Sequence, residues 1–237
     1  MARLPANIYQ ACIAPFAHHA VWHTARHPDW SGFAKARKVF PNIKLINQAG
    51  TGEEFLRFHR MMVREFKWIV ANTAGPAYAY EPWPALADFV VQSLDQDPPD
   101  YVAGAVARIA QLVTSGTADE LGNFIEATEF GGVPQPGIHN ASHGAISDFE
   151  HLPANSDADM DDLAQAPHNE YFWHLHGWID GLFADWQRNH GEAVDQSPMQ
   201  PMDMGVTHPL VALSSVLEPA EIAQNRARFS RIIRAAR

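Results

Sequence analysis

Residues 52–70 read GEEFLRFHRMMVREFKWIV. Phe55, Phe58, Met62, Phe66 and Ile69 return every three or four residues, the interval that lines one face of an α-helix. His59 stands inside that apolar stripe, where an imidazole costs free energy unless something satisfies it. The same texture recurs over 170–188, EYFWHLHGWIDGLFADWQR, with His176 among Phe172, Trp173, Ile179 and Phe183. Working outward from these two stretches, helices are predicted over 11–27, with Pro15 in the first turn, and over 86–94 and 101–113, around Asp97-Pro98-Pro99. Further helices are predicted over 117–128, with Thr117 as a cap, over 138–149, and over 219–237. Residues 28–51 read as mixed, 153–166 as an acidic polar loop, and 197–209 as a Met- and Pro-rich loop. No strand-like alternation or internal repeat is visible. The expectation is an all-α fold over residues 1–237 as one domain. Its core is a four-helix bundle with peripheral helices and long loops.

Composition narrows the chemistry. Of 237 residues 46% are apolar, enough for a packed core. The formal charge of −10 is a poor match for a nucleic-acid binder, which needs a cationic face. One cysteine, Cys12, excludes an internal disulfide and argues against a thiolate metal cluster. No run of about 18 apolar residues occurs, so no membrane association is expected. Residues 1–16 hold Pro5 and Pro15 and lack an apolar run behind a basic cluster, so no signal peptide is expected and the cytoplasm is the default compartment.

The 13 histidines are the unusual feature, and their spacing matters more than their number. His19 and His23 are four apart, which on a helix puts both rings on one face. His23 and His27 have the same spacing, but His27 abuts Pro28. His139 and His143 are again four apart. With His59 and His176, the chain holds a helical pair plus a single histidine, twice. Three imidazoles from two helices suit copper, zinc, iron or nickel rather than magnesium or calcium. Two such triples in one bundle suggest two metals close together, and neutral imidazoles support Cu(I), which can give electrons to dioxygen.

These residues resemble a known family. His18-His19-Ala20-Val21-Trp22-His23 is similar to the first copper-A segment of arthropod hemocyanins and prophenoloxidases, and residues 52–59 resemble the segment with their third copper-A histidine. His139-Asn140, with His143 following, resembles the copper-B pair shared by hemocyanins and tyrosinases. Residues 169–180, with an aromatic stretch before His176 and Asp180 four residues after it, resemble the last copper-B segment. Asn169-Glu170 stands where the family usually has Asp-Pro. Gly50 occupies the place of the second copper-A histidine of tyrosinases, so this half either follows the arthropod spacing or is incomplete.

The resemblance implies a type 3 copper protein with two copper ions, held by His19, His23 and His59 and by His139, His143 and His176, with His27 in place of His19 as the alternative. It implies oxidation or monooxygenation of phenol, catechol or aminophenol substrates with O2. Reversible O2 binding without turnover is the alternative, and a copper-delivery protein is a possible partner. In tyrosinases the asparagine matching Asn140 helps a glutamate hold a water that takes the phenol proton. Glu129 is the first candidate for that glutamate and Glu126 the second. Asp180 either orients an imidazole or is a surface charge. Phe55, Phe58, Phe172 and Trp173 are expected to keep the site dry. His174 points away from His176 on an ideal helix.

Overall fold

A computed structural model describes residues 3–73, 78–95, 100–126, 137–151, 156–200 and 213–234. Among them the regular structure is helical, and an isolated bridge between Arg3 and Asn169 is the one extended pairing. The helices are α1 (Ala6–Arg26), α2 (Phe33–Val39), α3 (Thr51–Thr73), α4 (Asp88–Leu94), α5 (Tyr101–Ser115), α6 (Ala118–Glu126), α7 (Ile138–Glu150), α8 (Glu170–Asn189), α9 (Leu213–Val216) and α10 (Pro219–Arg234). The all-α fold expected from periodicity is the fold observed. No described helix is long and apolar enough to cross a membrane.

Four of these helices, α1, α3, α7 and α8, turn their histidine-bearing faces toward one another. Their apolar stripes form one buried cluster that includes Phe16, Trp22, Phe55, Phe58, Phe66, Phe172 and Trp173. Trp22 of α1 stacks on Phe58 of α3 with centroids 4.1 Å apart, and Phe66 of α3 stacks on Trp173 of α8 at 4.0 Å. Large aromatic surfaces meeting face to face fix the rotation of each helix about its axis, and hence where each histidine points.

The N-terminus of α3 is set by α6. Asp119 Oδ2 accepts from Gly50 N–H and Oδ1 from Gly52 N–H, both at 2.8 Å. An acceptor at the donor-rich end of a helix satisfies groups the helix itself leaves unpaired. The two backbones cross at Gly52 and Gly122, where a Cβ on Gly122 would lie 1.9 Å from Gly52 O. Thr117 is the expected cap of α6: its Oγ1 accepts from Glu120 N–H at 3.1 Å, and Glu120 Oε2 accepts from Thr117 N–H at 2.8 Å.

Two segments depart from the sequence reading. Helix α1 starts at Ala6 rather than Ala11, so Pro15 lies inside it and not in its first turn. An interior proline removes a backbone hydrogen bond, but Ile8, Cys12 and Phe16, four apart, are buried on the core. Residues 158–164, read as part of a polar loop, are buried, aspartates included. Asp159 and Asp162 accept backbone N–H groups of their own loop, from Asp161 at 3.0 Å and Ala164 at 2.9 Å. Both also face Arg226 of α10. Acidic composition therefore disguised a packed segment. Within residues 28–51, read as mixed, α2 forms after Gly32 at φ +80° and buries Ala36.

Candidate metal centre

The rings of His19 and His23 (α1), His59 (α3), His139 and His143 (α7) and His176 (α8) meet in the interior, each 0–3% exposed. Ring centroids are 4.7 Å apart for His19–His23 and 5.7 Å for His19–His59. They are 4.7 Å apart for His139–His143, 5.0 Å for His139–His176 and 5.5 Å for His143–His176. The two halves are contiguous: His59 lies 5.6 Å from His139 and stacks on His176 at 4.8 Å. Ligand nitrogens of His19, His23 and His59 lie within 4.8 Å of one another, and so do those of His59, His139 and His176. His59 thus stands between the halves. His143 adjoins the second group at ring distance without joining that tighter set.

Which nitrogen faces inward follows from hydrogen bonding. A ring nitrogen facing a carbonyl must carry the proton. Nδ1 donates to Leu163 O from His19 (2.7 Å), to Phe55 O from His59 (2.9 Å), to Met160 O from His143 (2.8 Å) and to Phe172 O from His176 (2.7 Å). His139 Nδ1 donates to Asn140 Oδ1 at 3.0 Å, and the amide's orientation is settled because Asn140 Nδ2 donates to Glu126 O at 2.8 Å. Each of these five rings therefore turns an unprotonated Nε2 toward the centre.

Those nitrogens lack protein partners. Nε2 of His19, His23, His59 and His143 is buried without a hydrogen bond among the described residues. Nε2 of His139 and Nε2 of His176 lie 3.0 Å apart, with both ring protons already committed elsewhere. Two lone pairs at that distance repel unless a cation lies between or beside them. The proton is a poor cation here. Burial pushes His19 down to about 3 and His143 to about 4, and holds His23, His59, His139 and His176 well below 6.5. A donor set of neutral, orphaned imidazoles fits a borderline or soft metal ion.

Aromatic rings wall the centre. Phe172 stacks on His176 at 3.8 Å and lies edge-on to His19 at 5.2 Å. Phe55 lies 4.3 Å from His59 and 5.0 Å from His139, Phe58 lies 5.3 Å from His59, and Trp22 lies 4.8 Å from His23. Trp173, expected in this wall, instead packs against Phe66 and Phe16, a layer farther out.

The remaining sequence candidates fall elsewhere. His27 stacks on Trp30 at 4.2 Å, apart from the six rings. His174 donates from Nδ1 to Glu81 O at 2.6 Å and stacks on Trp83. Asp180, read as an imidazole partner or a surface charge, is neither. It is 3% exposed, pairs with Arg60, and accepts from Gln196 Nε2 at 2.6 Å. Glu126, the second candidate proton acceptor, has both carboxylate oxygens on Arg26, which also donates to Thr51 Oγ1 at 2.7 Å. Asn140 is committed to holding His139. Glu129, the first candidate, lies outside the described residues.

Sequence reasoning missed the carbonyls of Met160 and Leu163, which orient His143 and His19. The signal for that loop was present in Asp159 and Asp162, whose side chains cap backbone groups two residues on, as aspartates in turns do.

Residues 90–189 match the family model described as the common central domain of tyrosinase. The match contains His139, His143 and His176, on α7 and α8, and ends with the last residue of α8. No protein of curated function matches the chain significantly. The family implies copper and, in general terms, oxidoreductase chemistry, and the buried histidine groups are able to hold a metal. By this match, together with an all-α fold that gathers the matched histidines in its core, residues 90–189 are similar to the tyrosinase central domain, a likeness that supports a type 3 copper, tyrosinase-like family.

Proposed function

We propose that this protein is a copper-dependent oxidase or monooxygenase of small phenol-like aromatics, with O2 as co-substrate and two copper ions. One ion is held by His19, His23 and His59, the other by His139, His143 and His176. The observation that carries the reading is the convergence of six buried imidazoles whose inward nitrogens lack any other partner among the described residues. Copper bound there would supply reversible one-electron steps and a Lewis acid for a phenol oxygen.

The chain's own contributions are physical. Nδ1–H donation to fixed oxygens leaves Nε2 of His19, His59, His139, His143 and His176 unprotonated and aimed. Phe55, Phe58, Trp22 and Phe172 exclude water from the centre. Asn140 holds His139 in its tautomer. Glu129, ten residues before His139, is proposed as the acceptor of the phenol proton. The first triple lies outside residues 90–189, so its assignment rests on geometry.

The depth of the centre supports a second reading, reversible O2 binding. Rings 0–3% exposed admit a diatomic gas more readily than an aromatic substrate. Copper-loaded protein is to be oxygenated with catechol present. Quinone formation at two coppers per chain supports the enzyme. An intense near-ultraviolet band without turnover supports the carrier. No oxygen-dependent band refutes both. Loading of the metal-free protein by free Cu(I), compared with loading in cell extract, tests for a copper-delivery partner. Fractionation tests the proposed cytoplasmic location.

A further inference from the structure

The loop between α7 and the short 3-10 turn at Ala166–His168 touches both halves of the centre. Met160 O holds Nδ1 of His143, and three residues later Leu163 O holds Nδ1 of His19. His59 and His176 differ: their Nδ1 groups donate to Phe55 O and Phe172 O, four residues back in their own helices. Two rings are therefore steered by their own helices, and two, one from each half, by a single loop.

That loop is fastened to the C-terminal helix. Arg226 of α10 places Nη2 2.5 Å from Asp159 Oδ2 and Nε 3.8 Å from Asp162 Oδ2. The two carboxylates belong to the residues immediately before Met160 and Leu163. The other oxygen of each is occupied: Asp159 Oδ1 accepts from Asp161 N–H and from Ser147 Oγ at 3.1 Å, and Asp162 Oδ1 accepts from Ala164 N–H. Ser230 Oγ donates to Asp161 Oδ2 at 3.3 Å, a second tie from α10. One turn beyond Arg226, Phe229 lies edge-on to the ring of His143 with centroids 5.8 Å apart.

We propose that Arg226 is a positioning residue for both halves of the metal centre. By spanning Asp159 and Asp162 it holds the Met160 and Leu163 carbonyls at the spacing that orients His143 and His19. The inference rests on the proposed ligand set for its metal consequence, but not for its geometric one. A planar guanidinium presents its donors in a rigid fork that can hold two carboxylates at a fixed spacing, whereas an ammonium is a compact point charge on a flexible stem. Partners that orient ligating histidines typically influence metal affinity by about 10–100-fold.

The test uses the full chain with 15N-labelled histidine and three variants. Arg226→Gln removes the charge and Arg226→Lys keeps it without the fork. Arg228→Ala is the control, because Arg228 pairs with Asp29 at the surface. In metal-free protein, Arg226→Gln is expected to shift the Nδ1–H resonances of His19 and His143 and speed their exchange, leaving those of His59 and His176 in place. Arg226→Lys is expected to displace one of the pair or both by less, and Arg228→Ala neither. Cu(I) affinity, measured by chelator competition, is expected to fall at least tenfold for both ions in Arg226→Gln.

Unchanged His19 and His143 resonances in Arg226→Gln would overturn the proposal, as would equal disturbance of all four rings in the folded Arg226→Lys protein. If wild type binds no copper while the two resonances shift as expected, the ligand reading fails and the bracket stands. If wild type binds two coppers and Arg226→Gln binds them equally tightly, the bracket fails alone.

Discussion

Replacing His59 by leucine is expected to stabilise the metal-free protein and to cut its stabilisation by copper. His59 Nε2 is buried without a partner among the described residues, and such a group costs roughly 1–3 kcal/mol. Its Nδ1 bond to Phe55 O costs little to lose, because that carbonyl already serves the α3 backbone. The stack on His176 at 4.8 Å gives back about 0.5–1 kcal/mol. Leucine fills a similar volume without a polar atom, so the net gain is about 1–2 kcal/mol. At about 2–4 °C per kcal/mol for a chain of this size, Tm in chelator rises by about 2–8 °C. With Cu(I) the order reverses. Wild type gains about 4 kcal/mol per bound ion at a thousandfold excess over Kd, and the variant loses the share of the ion that His59 holds with His19 and His23. Differential scanning calorimetry with chelator and with Cu(I) reads both halves. A variant less stable than wild type in chelator, or one that gains as much from copper, refutes the reasoning.

Other consequences follow from the same structure. Asn140→Ala loses two buried hydrogen bonds, a cost of roughly 2 kcal/mol, and frees the His139 tautomer. Copper affinity of the second half should then fall by about 10–100-fold, by chelator competition, while the first half is spared. His19→Ala should lower copper from two ions to about one per chain and His27→Ala should not, by metal analysis, because His27 stacks on Trp30 away from the centre. Glu65 is buried with both oxygens unpaired among the described residues, and burial pushes its carboxyl up from 4.5 to about 9. A raised acid pKa means that the folded state keeps a proton the unfolded chain releases, so Glu65 lowers stability progressively as pH rises from about 4.5 to about 9. The loss reaches roughly 3 kcal/mol at pH 7. Glu65→Gln should remove that slope from urea unfolding measured between pH 5 and 8, and an unchanged slope would place its origin elsewhere.

The helices and the histidine pairs were legible because both are periodic. His19 with His23, and His139 with His143, share a helix face by spacing alone. An isolated histidine inside an apolar stripe, as at His59 and His176, announces a buried polar task. The start of α1 was misplaced because local rules assign a proline to a first turn. The burial of Ile8, Cys12 and Phe16 on other helices instead carries the helix through Pro15. Asp180 was misjudged because its partners, Arg60 and Gln196, are remote in sequence. The buried aspartates at 159–162 looked like a solvated loop because Arg226, which pairs with them, comes more than 60 residues later.

The amino-acid order by itself determined an all-α chain with two histidine pairs and two singles, each on a predictable helix face. Which faces meet was decided only by tertiary packing, through the Trp22–Phe58 and Phe66–Trp173 stacks and the close crossing of α3 and α6 at Gly52 and Gly122. Packing also separated His19 from His27 and recruited the Met160 and Leu163 carbonyls as ring anchors. The physical reason is that periodicity is a property of one helix, whereas convergence depends on contacts between helices. A backbone carbonyl, moreover, carries no side-chain identity through which a sequence could announce its role.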